Sequence, residues 1–211
     1  PMFSDISLTT YKRLFFRNSG NDFGKTHIKD ASVALIFKDY AKVDYQEYKP
    51  CVLYLNDAYW GIHNIREMIT PHHFQYHYGV DKDNVDLLEG SELHPEADDG
   101  SVEDYLNNVI AYLQSHDLTL DENYVEFSNL IDIDSYVDYI IINTYIGKSD
   151  WPCNNTKWWR DRTSVNSKWR WVVYDNDLSF KMEQMDKVWI GDFYGIPVSE
   201  ERKEGFFIFN H

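Results

Sequence analysis

Residues 148–180 read KSDWPCNNTKWWRDRTSVNSKWRWVVYDNDLSF, and their pattern decides the fold. Just upstream, Asp134–Tyr145 is the greasiest segment, with Tyr136, Val137, Tyr139, Ile140, Ile141 and Ile142. It predicts a buried helix that Gly147 can end. Lys148–Asn155 is then a polar loop. Thr156–Arg160 and Lys168–Tyr174 are Trp-rich runs on either side of a loop containing Asn166-Ser167, which predicts two strands running out and back. Asp175-Asn176-Asp177 follows at once. A core helix, a loop and an antiparallel hairpin in this order give an α+β chain.

The pattern extends in the N-terminal direction. Ser101–His116 carries Val102, Tyr105, Leu106, Val109, Ile110 and Leu113 at helical spacing, with Ser101 as cap and Asp104 three residues on. Thr70-Pro71 opens a short helix through Tyr78 that stops at Gly79. Val52–Asn56 and Tyr59–Ile65 are apolar runs joined at Asn56-Asp57, a pair that tolerates positive φ, so they predict a β-hairpin. Thr26–Ala41 is apolar on two sides and predicts a helix buried on most of its circumference. Leu14–Phe16 reads as a strand. The expected organisation is one domain over 1–211: a sheet and helix portion over 1–90, a mostly helical block over 91–147, and the loop, hairpin and acids over 148–180. The chain starts at Pro1 and closes on the apolar run 205–211, so it reads as cut from something longer.

Composition narrows the function. The formal net charge is −15, from 20 basic and 35 acidic residues. That argues against a nucleic-acid binder, because nothing here would replace phosphate counterions; it favours cations and basic partners. No apolar run approaches the roughly 20 residues needed to span a bilayer. Cys51 and Cys153 have no metal-type spacing, and both a single bridge and two thiols stay open.

The chemistry concentrates in the quoted stretch. Asp150 and Asn155, five apart in a loop, precede a hairpin that ends on Asp175 and Asp177. Protein kinases use this order: an Asp accepts the substrate hydroxyl proton, an Asn five residues on holds Mg²⁺, and a later Asp completes the metal site. Phosphoryl transfer is mostly positioning and charge neutralisation, so it needs hard oxygen ligands and one carboxylate free of the metal. The spacing alone fits turn hydrogen bonds and a solvated acidic turn equally well.

Four blocks make the pattern specific: Arg17-Asn18-Ser19-Gly20-Asn21-Asp22; Tyr59-Trp60-Gly61-Ile62 with Arg66-Glu67; Asp150-Trp151-Pro152 with Asn154-Asn155; and Trp169–Asp175 with Asp177. With Asn84–Gly90, they make the chain resemble the CotH kinase family, the spore coat protein H-like proteins, from about Leu14 to Phe180. The resemblance implies an atypical protein-kinase-like fold that moves the ATP γ-phosphate to Ser or Thr of a surface, spore-coat or secreted protein. It implies ATP and Mg²⁺ or Mn²⁺ as cofactors, Asp150 as the catalytic residue, and Asn155, Asp175 and Asp177 as metal ligands. Asp175 and Asp177 compete for the main role: strand contiguity favours the first, the family's DFG-like ending the second, although Leu178-Ser179 stands here in place of Phe-Gly. The expected protein substrate is basic and Ser/Thr-rich, and the expected location is extracellular, at a cell surface or in a spore coat.

Second-tier candidates each carry an alternative. Arg17 and Asn18 meet nucleotide phosphates, or Arg17 pairs with Asp22, Asp30 or Glu67. Glu67 positions a lysine, or forms a structural ion pair. Trp60 and Trp151 flank an adenine, or fill the core. His73 and His77 have helical zinc spacing, but no HExxH glutamate accompanies them and a surface helix with chance histidines is the expectation. Asp98-Asp99 and Asp132-Ile133-Asp134 read as helix-start acids. Two other functional classes remain: a non-catalytic pseudokinase or scaffold, and a glycosyltransferase using Asp175-Asn176-Asp177 as a DxD metal motif.

Overall fold

The computed structural model describes residues 1–3, 7–152, 154–180 and 208. Among the described residues, two sheets and five α-helices form the α+β architecture. The first sheet has the order β1-β4-β3, with β1 Leu14–Arg17, β3 Tyr48–Leu55 and β4 Ala58–Glu67, all antiparallel. Asn56 and Asp57 have φ +47° and +64°, the two left-handed residues of a tight hairpin turn. The tip of this hairpin leaves Val52, Tyr54, Tyr59, Trp60 and Ile62 exposed.

The second sheet has the order β2-β8-β7-β5-β6, with β2 Asp44–Tyr45, β5 Val85–Gly90, β6 Pro95–Asp99, β7 Lys157–Asp161 and β8 Arg170–Val173. β2 runs parallel to β8 and the other pairs are antiparallel. Both faces of its central strands are covered. Successive side chains alternate faces: Leu88, Trp158, Trp171 and Val173 join the main core under α5 (Ile133–Tyr145), while Leu87, Trp159 and Val172 face α2 (Pro71–Tyr78). Phe74 of α2 stacks on Trp159 at 4.0 Å between ring centres. Buried Asp44 secures this face, accepting hydrogen bonds from Trp159 Nε1 (2.7 Å) and the Tyr78 hydroxyl.

Most expected elements are present, with informative differences. α5 begins one residue early because Asp132 is its cap, accepting a hydrogen bond from Ser135 N at 3.2 Å. α2 ends at Gly79 (φ +72°) as the pattern requires. α1 is shorter than expected, Lys29–Phe37, and leaves Leu35 and Ile36 exposed; it is buried through Ala31, Val33 and Ala34 rather than all round. The segment expected as Ser101–His116 is π-helical over Tyr105–Ile110 and continues as α3, Ala111–Ser115. The wider turn still buries Tyr105, Val109, Ile110 and Leu113. A short α4, Asp121–Phe127, precedes α5. β6 lies inside the stretch expected as helical, so Asp98-Asp99 starts no helix; Asp98 instead pairs with Lys157. Cys51 is on β3, whereas Cys153 and most of 205–211 lie outside the described residues. No described helix is long and apolar enough to cross a membrane.

Between β5 and β6, Glu92 is buried, receiving Ile208 N at 2.9 Å and the Tyr136 hydroxyl at 3.4 Å. Burial pushes its carboxyl up to about 8, against the opposing effect of those two donors. Because the folded-state value lies above the unfolded one, the stabilising contribution is complete below the unfolded value and is lost as pH rises through about 8. Glu92→Gln is therefore expected to flatten the fall in Tm between about pH 5 and about pH 9, measured by thermal unfolding across that range.

Candidate functional site

The loop after α5 is held by the segment that follows β8. Phe180 N donates to Ile146 O at 2.7 Å, and Ser149 N and Oγ donate to Leu178 O at 3.3 and 3.2 Å. Lys148 is buried between them, its Nζ donating to Asn155 O (3.2 Å) and Tyr174 O (2.9 Å). One ammonium thus ties the Asp150 loop to the strand that delivers the acids. Burial pushes Lys148 down to about 8, opposed by Asp150, Asp175, Asp30 and Asp177.

Asp150 and Asn155 meet directly: Asn155 Nδ2 donates to Asp150 Oδ2. The other oxygen, Asp150 Oδ1, is buried with no hydrogen-bond partner. Asn155 and Asp175 both hold left-handed backbone, φ +56° and +50°, a strained conformation that clusters at functional sites.

Asp175 and Asp177 share Arg17. Its Nη2 reaches Asp175 and lies 2.7 Å from Asp177 Oδ2. Arg17 therefore pairs with these two acids rather than with Asp22, Asp30 or Glu67; Asp30 is the partner of Arg66. Asn21 completes the cradle, with its backbone N 2.8 Å from Asp177 Oδ2 and Nδ2 3.2 Å from Oδ1. Burial pushes the Asp175 carboxyl up, Arg17 opposes it, and Asp177 and Asp30 push the same way as burial. Asn18 is exposed, and its Oδ1 accepts the turn bond from Gly20 N at 3.2 Å.

Arg17, Asp175 and Asp177 thus form one group and Asp150 with Asn155 another, with Lys148 between. Two second-tier candidates lie elsewhere. Trp151 is 1% exposed within the main core and donates Nε1–H to the Tyr139 hydroxyl at 2.9 Å. Glu67 is buried against α2, where His77 Nε2 lies 3.0 Å from Oε1, and Glu47 N donates to Oε2 at 3.2 Å. Glu67 faces two histidines where the kinase pattern expects a lysine. His73 and His77 in turn are not chance surface residues, because α2 turns that face onto β4. Burial pushes His73 down to about 4, so its imidazole is neutral. Glu67 is held below the usual carboxylate range: burial raises it, but the hydrogen bond from His77, the adjacent histidines and the Glu47 N–H outweigh that.

The oxygen donors of Asn155, Asp175 and Asp177 fit a hard divalent ion, which binds through one or two carboxylates and leaves other positions to phosphates and water. The acids already share one cation, the Arg17 guanidinium. Asp150, Asp175 and Asp177 do not close into a single compact ligand set among the described residues. Lys148 was missed in sequence because a lysine after a helix-ending glycine reads as the start of a solvated loop.

Gly20, at φ +57°, lies directly on the Asp177 carboxylate; a Cβ there would collide with Asp177 Oδ2 and stand 2.7 Å from Arg17 Nη2. Gly20→Ala is expected to cost about 1–3 kcal/mol in denaturant unfolding through left-handed strain and displacement of this cradle.

Among curated proteins, none matches the chain. A family model described as CotH kinase protein matches residues 3–208, nearly the whole sequence. That span takes in the Arg17–Asp22 cradle, the Asp150 loop and both later acids, and the chain belongs to the CotH kinase family.

Proposed function

We propose that the chain is a Ser/Thr protein kinase that transfers the ATP γ-phosphoryl group to a surface, spore-coat or secreted protein, with Mg²⁺ or Mn²⁺. The observation that carries this reading is Asp150: one oxygen is fixed by Asn155 and the other is buried and unpartnered. In the reaction the substrate hydroxyl oxygen forms a bond to the γ-phosphorus, the bond to the ADP oxygen breaks, and the hydroxyl proton passes to Asp150. Asn155 holds the Asp150 carboxylate in orientation. Asp175, Asp177 and Asn155 would hold the divalent ion, which supplies charge neutralisation at the phosphates. Arg17 and Lys148 bring positive charge to the same acids and, in this reading, to the phosphates. The net charge of −15 favours a basic protein substrate.

A second reading has one specific observation in its favour. Arg17 bridges both acids, so a permanent guanidinium in place of the metal would make a pseudokinase scaffold. The two readings part on ligand binding and transfer. The kinase is expected to show a rise in Tm that needs ATP and Mn²⁺ together. Asp150→Asn should keep that rise and lower phosphoryl transfer to a basic Ser/Thr-containing protein about a thousandfold or more. Undiminished transfer in Asp150→Asn would remove Asp150 from the mechanism; no rise in the parent protein would leave the scaffold.

A further inference from the structure

Away from the acids, Glu67 of β4 and His73 and His77 of α2 each offer one ligand atom, and the three atoms lie within 4.8 Å of one another. The pairwise geometry is close to that of a bound metal. His77 Nε2 is 3.0 and 3.2 Å from the two Glu67 oxygens, and His73 Nδ1 is 3.6 Å from Oε2. Tetrahedral zinc with ligands at about 2.0–2.1 Å separates them by about 3.4 Å. The two rings lie side by side, 4.2 Å between centres, as i and i+4 on one helix face require.

A second observation points to a ligand. His73 is 4% exposed, and its Nδ1 is buried with no hydrogen-bond partner. Such a nitrogen is costly unless something binds it. Beside Glu67 and His73 opens a cavity of about 10 Å³, lined also by Tyr11, Arg13, Thr70 and His72; it has room for about one water.

We propose that Glu67, His73 and His77 form a zinc site with three protein ligands and one water, fastening α2 to the C-terminal end of β4, the central strand of the first sheet. Two imidazoles with one carboxylate suit zinc rather than magnesium or calcium, which take oxygen. The site is separate from the Asp175–Asp177 acids: Arg66 and Glu67 point to opposite faces of β4, Arg66 to Asp30 and Glu67 to α2.

The test uses the whole chain stripped with a chelator and titrated with Zn²⁺, then Co²⁺ as a spectroscopic probe. The expected result is one zinc per chain, a raised Tm, and the intense visible bands of four-coordinate cobalt. His77 is partly exposed, so His77→Gln should fold and should weaken zinc binding at least about a hundredfold; Asp175→Asn should leave it intact. His77→Cys gives a positive signal, since a thiolate-to-cobalt charge-transfer band arises only if position 77 ligates the metal. No zinc uptake by the parent protein, equal affinity in His77→Gln, or His77→Cys lacking the thiolate band would overturn the proposal.

Discussion

The buried carboxylate of Asp30 is the joint on which the rest of the structure depends. One oxygen takes the Arg66 guanidinium from β4, and the other accepts Asn176 N at 2.8 Å. Asp30 is on α1, Arg66 on the first sheet and Asn176 between the two acids that follow β8. All three are buried. In such a setting an ion pair adds little net stability, but leaving either charge alone costs several kcal/mol. The pair therefore acts as a constraint on arrangement: the only comfortable state is the one in which first sheet, helix and acid turn meet. With Asn176 fixed by its backbone, Asp175 and Asp177 are set on either side of it, within reach of Arg17.

Around this joint, charge is matched locally. Arg17 sits between Asp175 and Asp177, and Lys148 between two carbonyls close to four carboxylates. In a chain with net charge −15, the buried Lys148 and the half-buried Arg17 both serve this group of acids. Both are held through several bonds, so the positive charge is preorganised rather than recruited, the arrangement that electrostatic stabilisation of a phosphoryl group calls for.

Much of this was legible in the sequence where a local rule acts alone. Asn56-Asp57 marks the hairpin, Pro71 and Gly79 bracket α2, and the greasy run places α5. Asp150, Asn155, Asp175 and Asp177 stood out by type and order. What stayed hidden depends on partners far away in the chain. The histidines of α2 look like surface residues until β4 supplies Glu67. Trp151 lies in the most suggestive motif, yet its ring fills the core beneath the loop. Lys148 shows its burial only when Tyr174 arrives beside it. β6 escaped because Pro95–Asp99 is acidic and lacks alternation; it pairs as an edge strand held partly by Lys157.

The Arg17–Asp177 bond joins residues 160 positions apart, and Asp30–Asn176 spans 146. Closures this long are the slow, late events of folding, since the entropy of bringing distant segments together must be met before their contacts form. During synthesis the Arg17–Asp22 cradle emerges well before the acids. The two halves of the site therefore meet only after both sheets and α5 have left the ribosome. A chain stopped short of β8 would hold Arg66 and Asp30 but neither acid. Assembly of this acid cluster is thus tied to synthesis through β8, a form of timing built into the order of the sequence.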